Sequence, residues 1–324
     1  MSLDEFALIE RIARRTRARA DIALGIGDDA ALLRPAPEQQ LAVTADTLNA
    51  GVHFPVESAP ADIGWKALAV NLSDLAAMGA APAWCTLSLS LPQADAAWLD
   101  AFADGLFALA DANGIAVVGG DTTRGPLSIA ITAMGQVPVG QALRRDGARV
   151  GDDIWISGHP GEAAGALRLW QQGRLDVRVA VADEGHERLR QRLQRPTPRL
   201  QLGLALRGLA HAAADVSDGL LADLGNIASR SGVAAVVQAD AVPLSLALRA
   251  ALGADAALGC ALRGGDDYEL CFTAAPERRE ALETLSSTLA LPLTRIGTIA
   301  EGRGVRCDGD AGGERAGGYR HFAG

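Results

Sequence analysis

The chain has 324 residues, 49% of them hydrophobic and 21% charged, with a formal net charge of −9. That length holds two ordinary domains with separate cores, and the acidic balance excludes a nucleic-acid backbone binder, whose affinity comes from basic footprints. Arg, Asp or Gly interrupts every apolar run before it could span a bilayer, and the start Ser2-Leu3-Asp4-Glu5-Phe6 lacks the basic and apolar regions of a signal peptide, so a cytoplasmic protein outside the membrane is expected.

In chain order, the first predicted element is a helix with Ser2 and Glu5 as a capping box and Phe6, Ile9, Ile12 and Ala13 on one face. Its arginines, Arg11, Arg14, Arg15, Arg17 and Arg19, read as a solvated face. The turn Gly-Ile-Gly-Asp-Asp-Ala-Ala at 25–31 follows, then a strand over 41–45 that ends at Asp46. Residues 61–78 are helical and stop at Gly79; Asn71, Ser73 and Asp74 interrupt an otherwise apolar pattern there, and burying them without partners costs a few kcal/mol, which points to a ligand or metal. A strand at 84–91, a helix at 94–113 closed by Gly114, a strand at 115–118 presenting Gly119-Gly120-Asp121, and a strand at 127–134 complete the first half. The domain boundary is placed at 138/139, giving domains 1–138 and 139–324. The second half predicts a strand at 153–157, a helix from the turn at 158–161 to Gln171, a charged helix at 174–195 and another to His211. Asp215-Val-Ser-Asp-Gly219 then opens a helix at 220–231, followed by strands at 233–238, 270–273, 293–299 and 304–307. Alternating strands and helices indicate an α/β or mixed α+β architecture. Leu72-Ser-Asp-Leu75 echoes Val216-Ser-Asp-Gly219, and Gly119-Gly-Asp121 echoes Gly264-Gly-Asp266, as an internal duplication would.

Asp28 and Asp29 on a glycine-bracketed turn are poorly placed for packing and well placed for a hard cation, since Mg²⁺ takes oxygen ligands. Asp46, Asp74, Asp121, Asp215 and Asp218 each sit at the edge of an apolar run, and together they read as one convergent acidic site. Several carboxylates sharing a site repel one another and force pKa values up unless cations intervene. Multiple Mg²⁺ ions resolve that conflict and align a nucleoside triphosphate for phosphoryl transfer. Arg124 and Arg145 are candidate phosphate contacts, and His53, in a small-residue loop, is placed to meet a phosphate. His159, His186 and His211 read as structural or solvent-facing. The spacing Gly25-x-Gly27-x-x-Ala30 fits a loose dinucleotide fingerprint, but Asp28 and Asp29 would repel the pyrophosphate. Lys66, the only lysine, lies outside any P-loop, and Ser217 has no histidine beside it and no nucleophile elbow. The 4 cysteines lack a Cys-x-x-Cys spacing and read as buried thiols.

The motifs at 25–31, Thr-Ala-Asp-Thr-Leu at 44–48, Gly-Val-His-Phe at 51–54, Lys-Ala-Leu-Ala-Val-Asn-Leu-Ser-Asp-Leu-Ala-Ala-Met-Gly-Ala at 66–80, Gly-Gly-Asp-Thr-Thr-Arg-Gly at 119–125, Asp-Val-Ser-Asp-Gly-Leu at 215–220, Gly-Gly-Asp-Asp-Tyr-Glu-Leu at 264–270 and Gly-Tyr-Arg-His-Phe at 318–322 run in order along nearly the whole chain. Taken together, they resemble the thiamine-monophosphate kinase family. The resemblance implies the two-domain, PurM-like α/β fold shared with aminoimidazole ribonucleotide synthetase, a homodimer paired through N-terminal domains, and ATP in a cleft lined by the acidic motifs. It implies ATP-dependent phosphorylation of thiamine monophosphate to thiamine diphosphate, with several Mg²⁺ ions. Carried over by position, Asp29, Thr44, Asp46, Asp74, Asp121, Asp215 and Asp218 hold Mg²⁺, with Asp74, Asp121 and Asp218 central to catalysis. Gly120, Asp121, Arg145 and Ser217 contact ATP; His53, Asp266 and Tyr319 face the substrate; Asp28 assists from behind. Three residues depart from the family pattern: Ala45 where a hydroxyl often stands, Asp266 for the usual glutamate, and Arg320 for a common aspartate. The expected chemistry is direct attack of the substrate's phosphate oxygen on the γ-phosphorus, which asks for positioning and charge neutralisation rather than a strong base. A metal-dependent phosphohydrolase and a non-catalytic nucleotide-binding module are the rival readings. Among sister enzymes, a selenophosphate synthetase or a carbamoyl dehydratase would need a reactive or terminal Cys that this chain lacks.

Overall fold

The computed structural model of the protein describes residues 5–310. Ser2 of the expected capping box and Tyr319 lie outside them. The described chain divides into two compact units: one runs to Leu75 and adds Ala80–Gly140 and Val177–Val179, the other comprises Ala76–Gly79, Gln141–Asp176 and the chain from Ala180. No helix among the described residues is long and apolar enough to cross a membrane.

The first unit contains α1 (Glu5–Ala13), the short strands β1 (Ile22–Leu24) and β2 (Leu32–Leu33), β3 (Gln39–Asn49), α2 (Pro60–Ala77), β4 (Ala81–Leu91), α3 (Ala96–Asn113), β5 (Ala116–Arg124) and β6 (Ser128–Pro138). Its main sheet has the order β3-β6-β4-β5. Only β4 and β5 pair in parallel, and α3 supplies the crossover such a pair needs. Asp95 caps α3 by accepting the Ala97 and Trp98 N–H groups at 2.9 and 3.1 Å, and Gly114 ends it at φ 66°. A Cβ at Gly105 of α3 would stand 1.7 Å from the Ala61 carbonyl oxygen of α2, so the two helices meet backbone to backbone.

All four strands of this sheet run beyond the limits the sequence predicts, β4 starting at Ala81 and β6 ending at Pro138, and in the other two the extension takes in candidate site residues. β3 pairs with β6 from Gln39–Pro138 to Asn49–Ser128, so Asp46 lies within a strand and not at its end. β5 runs on to Arg124 and takes Gly119, Gly120 and Asp121 into the ladder beside β4. Pairing with a long, apolar neighbour overrides the weak strand preference of Asp, Asn and Gly. The arginines of α1 and its exit are also not simply solvated: Arg11, Arg15 and Arg17 pair with Asp100, Asp104 and Asp111 of α3 at 2.6, 2.5 and 2.7 Å.

The second unit contains β7 (Asp153–Ser157), α4 (Glu162–Gln171), α5 (Glu184–Gln194), α6 (Leu200–Ala205), β8 (Ala212–Asp215), α7 (Leu220–Ser231), β9 (Ala234–Gln238), α8 (Leu246–Leu252), α9 (Ala254–Arg263), β10 (Leu270–Ala274), α10 (Arg279–Leu289), β11 (Leu293–Ala300) and β12 (Gly304–Asp308). The sheet order is β12-β9-β11-β7-β10-β8, antiparallel except for β12 beside β9. Leu220, Leu224 and Ile227 of α7 pack on Ile154, Ile156, Ala214 and Val237 of the sheet. The expected charged helix at 174–195 shrinks to α5. Alternate β-branched residues Val177, Val179 and Val181 disfavour helix before it, and Asp183 starts it by accepting the His186 N–H at 2.7 Å. The helix expected to reach His211 stops at Ala205, and strand β8 follows it. Cys85 and Cys271 are buried and all four thiols are free; burial pushes Cys85 up to about 12 and Cys271 well above the ordinary thiol range.

Candidate functional site

Strand alternation puts Thr44 and Asp46 on one face of β3, two residues apart. Both meet Asp74, which α2 presents near its C-terminal end: the Thr44 hydroxyl donates to the Asp74 carboxylate, and the Asp46 carboxylate is in hydrogen-bonding contact with it. Burial, then the charge of Asp74 and then that contact, raise Asp46 to about 6. Two facing carboxylates of this kind must share a proton or a cation. Ala45 is exposed on the opposite face of β3, so a hydroxyl there would not join Thr44 and Asp46. Asn71, one turn before Asp74 on α2, donates from Nδ2 to the Ala67 carbonyl at 3.1 Å, and its buried Oδ1 has no hydrogen-bond partner.

The other carboxylates of the first unit stand apart from that pair. Asp121 lies on β5, the edge strand opposite β3, in register with Ser88 and exposed. At ordinary strand spacing the two edges are about 14 Å apart. Gly120 before it has φ 147°, and a Cβ there would meet the Leu87 carbonyl oxygen at 1.8 Å, so only glycine carries the chain past β4 at this point. Ile9, Ile12, Ile26 and Leu87 line a small cavity beside Gly120 and Asp121. Asp28 and Asp29 are exposed on their turn, where Asp28 accepts the Asp29 N–H at 2.8 Å, a local turn contact. His53 accepts the Asn49 N–H on Nδ1 at 2.9 Å, which puts the neutral ring's hydrogen on Nε2.

In the second unit, β8 ends at buried Asp215, and the loop Val216–Gly219 leads into α7. Asp218 is exposed. The 264–269 segment runs alongside: Asp266 N–H donates to the Ser217 carbonyl, Tyr268 N–H to that of Val216, both at 2.9 Å, and Val216 N–H donates to the Glu269 carbonyl at 2.8 Å. Asp266 and Tyr268 both adopt left-handed backbone, φ 67° and 52°, uncommon for such residues and concentrated at functional loops. The Tyr268 hydroxyl donates to Asp266 Oδ1 at 3.0 Å. Thus Ser217 and Asp266, one expected to face nucleotide and the other substrate, sit on one knitted pair of segments. Arg145 is exposed, as is Arg124 in the first unit; the Arg145 carbonyl oxygen accepts from Ser231 Oγ at 2.9 Å. His159 is half-buried and lowered chiefly by that burial, His186 contacts Asp183, and His211 contacts Asp152 at 2.9 Å, in keeping with structural histidines.

Sequence reasoning missed the groups that hold these segments. Asp223 of α7, fully buried, accepts backbone N–H groups from Ser217, Asp218 and Gly219; burial raises it to about 6, opposed by those hydrogen bonds. Its position three residues after Leu220 and one before Leu224, on the apolar stripe, was the available signal. Glu269, 1% exposed, accepts Arg199 Nε at 2.6 Å, Arg192 Nη2 at 2.7 Å and Ser157 Oγ at 2.5 Å. Burial alone would raise its pKa, but Arg199 and Arg192 reverse that and hold it below the usual glutamate range. Asp267 beside it is wholly buried, raised well above the carboxylate range by that burial, and accepts the Gly161 N–H at 2.6 Å.

Among the described residues, no group of three or more His, Cys, Asp or Glu is arranged to hold a metal ion by itself. The donors that do meet, Thr44, Asp46 and Asp74, are all hard oxygen atoms with a surplus of negative charge, which fits Mg²⁺ in company with phosphate oxygens.

Residues 27–137 match the family model for the N-terminal domain of AIR synthase related proteins, and residues 149–310 the model for the C-terminal domain. The chain is 48% identical over 327 residues to thiamine-monophosphate kinase of Salmonella typhimurium, covering 100% of this chain and 99% of the relative. It is 33% identical over 328 residues to the Aquifex aeolicus enzyme of that name, covering 99% and 98%. A crystal structure of thiamine-monophosphate kinase from Stenotrophomonas maltophilia K279a superimposes with TM-score 0.91 at 68% identity, over 96% of this chain and 98% of that one. A structure of AaThiL complexed with AMPPCP and TMP gives TM-score 0.79 at 32% identity over 99% of each chain.

Proposed function

The chain belongs to the thiamine-monophosphate kinase family, and from that premise we propose that it transfers the γ-phosphoryl group of ATP to thiamine monophosphate in one in-line step, forming thiamine diphosphate. It has the two-domain fold of AIR synthase related proteins, and a relative of the same fold has been captured with AMPPCP and TMP. The observation that carries the reading is the Asp46–Asp74 pair bridged to Thr44, a carboxylate arrangement that calls for a divalent cation.

The metal ligands we propose are Asp29, Thr44, Asp46, Asp74 and Asp121 of the first unit and Asp215 and Asp218 of the second. The distance between β3 and β5 favours more than one ion. When bound, Mg²⁺ supplies neutralisation of the donor and acceptor phosphates, so that two anions can approach. Gly120, Asp121, Arg145 and Ser217 contact ATP. Gly120 lets the β5 backbone pass against the Leu87 carbonyl of β4, which sets the position of Asp121 beside it. His53 and Asp266 face thiamine monophosphate, with Tyr319. Tyr268 steadies the Asp266 carboxylate, whose arm is one methylene shorter than the glutamate usual at this position. The acceptor phosphate is largely ionised near neutral pH, so the residues have only to orient the two phosphates and exclude water. Residues 1–138 act as the nucleotide, metal and dimerisation domain and 139–324 complete the site, in a cytoplasmic homodimer.

Purified protein with Mg²⁺-ATP and thiamine monophosphate should give thiamine diphosphate and ADP in equal amounts, with little free phosphate. ADP with free phosphate and no thiamine diphosphate would identify a hydrolase, and nucleotide binding without any ADP a non-catalytic module.

A further inference from the structure

Three successive amides, those of Ser217, Asp218 and Gly219, converge on one oxygen of Asp223 at 3.0, 3.0 and 3.2 Å. Consecutive N–H groups at a helix N-terminus that close on a single anion form the arrangement by which many proteins bind phosphate. Here the anion is part of the chain, 1% exposed on the first turn of α7. The amides are therefore taken, and a triphosphate reaching this loop meets side chains and not a backbone cradle. The opposite side of the loop is clamped by the hydrogen bonds from Asp266 and Tyr268. At its other end, α7 fixes the segment that carries Arg145: Ser231 Oγ donates to the Arg145 carbonyl at 2.9 Å and accepts the Ala148 N–H at 3.1 Å.

We propose that Asp223 is a positioning residue for nucleotide binding, an internal anion that sets the 217–219 backbone so that the Ser217 hydroxyl and the Asp218 carboxylate face a nucleoside triphosphate and its cations. This rests on the reading of Ser217 and Asp218 as nucleotide and metal contacts. Without the carboxylate, the three amides are left unpaired or turn toward water, and the two side chains turn with them.

The test is titration of the full chain with a non-hydrolysable ATP analogue in Mg²⁺, and separately with thiamine monophosphate, for Asp223→Ala, Asp223→Asn and Ser217→Ala. Asp223→Asn keeps an acceptor oxygen of the same shape but loses the charge-assisted bonds, so it is expected to weaken analogue binding about fivefold, and Asp223→Ala about fiftyfold. Thiamine monophosphate affinity should change less than about twofold in both, a split that general loosening of the fold would not give. If Asp223→Ala does not fold, the Asn variant decides. Folded Asp223 variants that bind the analogue as the unaltered chain does overturn the proposal. With Ser217→Ala weakened in that case, only the role of Asp223 fails; with Ser217→Ala unaffected as well, the reading of the loop as a nucleotide contact fails with it.

Discussion

Asp74→Asn is expected to fold with an unchanged thermal midpoint and to lose about a thousandfold in kcat, the scale of removing a charge aimed at the reacting phosphates. The substitution keeps the side chain's size and an oxygen that the Thr44 hydroxyl can still bond. It removes one of two facing charges, so stability has no reason to fall, since Asp46 is raised by that neighbour already. What it takes away is half of the donor pair for a cation. Steady-state kinetics beside a thermal melt separates the two effects: turnover within a few fold of the unaltered protein would remove Asp74 from the metal site.

Glu269→Ala should act in the opposite way, through stability. Two guanidinium groups, those of Arg199 and Arg192, are 17% and 13% exposed and meet on this carboxylate, Arg192 also reaching the Asp267 carbonyl at 3.1 Å and Glu162 at 3.6 Å. Removing one partner of a buried ion network leaves the others unsatisfied, at a cost of about 3–5 kcal/mol. The carboxylate's pKa is depressed in the folded protein. Its stabilisation is therefore present above the ordinary glutamate range and is lost as pH falls through and below that range. Denaturant unfolding should show the deficit at pH 7 and a narrowing gap between variant and unaltered chain on acidification. A deficit well under about 1 kcal/mol at pH 7 would mean that the arginines find other partners.

The parts of the fold that sequence reveals are those whose residues repeat with one period or end on a capping residue. α3, bounded by Asp95 and Gly114, stands close to its expected limits, and β6 alternates along its length, although pairing with β3 carries it to Pro138, past the expected end at Met134. β8, Ala-Ala-Ala-Asp, does not look like a strand, because alanine prefers helix and a strand buried at every position shows no alternation, even at the edge of its sheet. It is a strand because β10 pairs with it. Helices α8, α9 and α10 went without expectation for a related reason: they are short or largely exposed, and their apolar stripes are brief.

The site divides in the same way. Aspartates in Gly-rich motifs were visible as residues, but their grouping was not. Asp74 meets Asp46 because a helix and a strand of the first unit cross at that point, whereas Asp121 is carried to the far edge of the same sheet. Asp223 shows in the sequence only as a carboxylate on an apolar stripe and Glu269 only as one member of a motif; what each supports is expressed in the amides and guanidinium groups they meet.

Mn²⁺, standing in for Mg²⁺, can be counted directly by electron paramagnetic resonance in the presence of a non-hydrolysable ATP analogue. The protein should take up more than one Mn²⁺ per chain together with the analogue, and an Asp46→Asn, Asp74→Asn double variant that still folds should take up fewer and hold them at least about tenfold more weakly. Equal uptake and affinity in the two proteins would contradict the claim that this carboxylate pair holds the cations on which phosphoryl transfer depends.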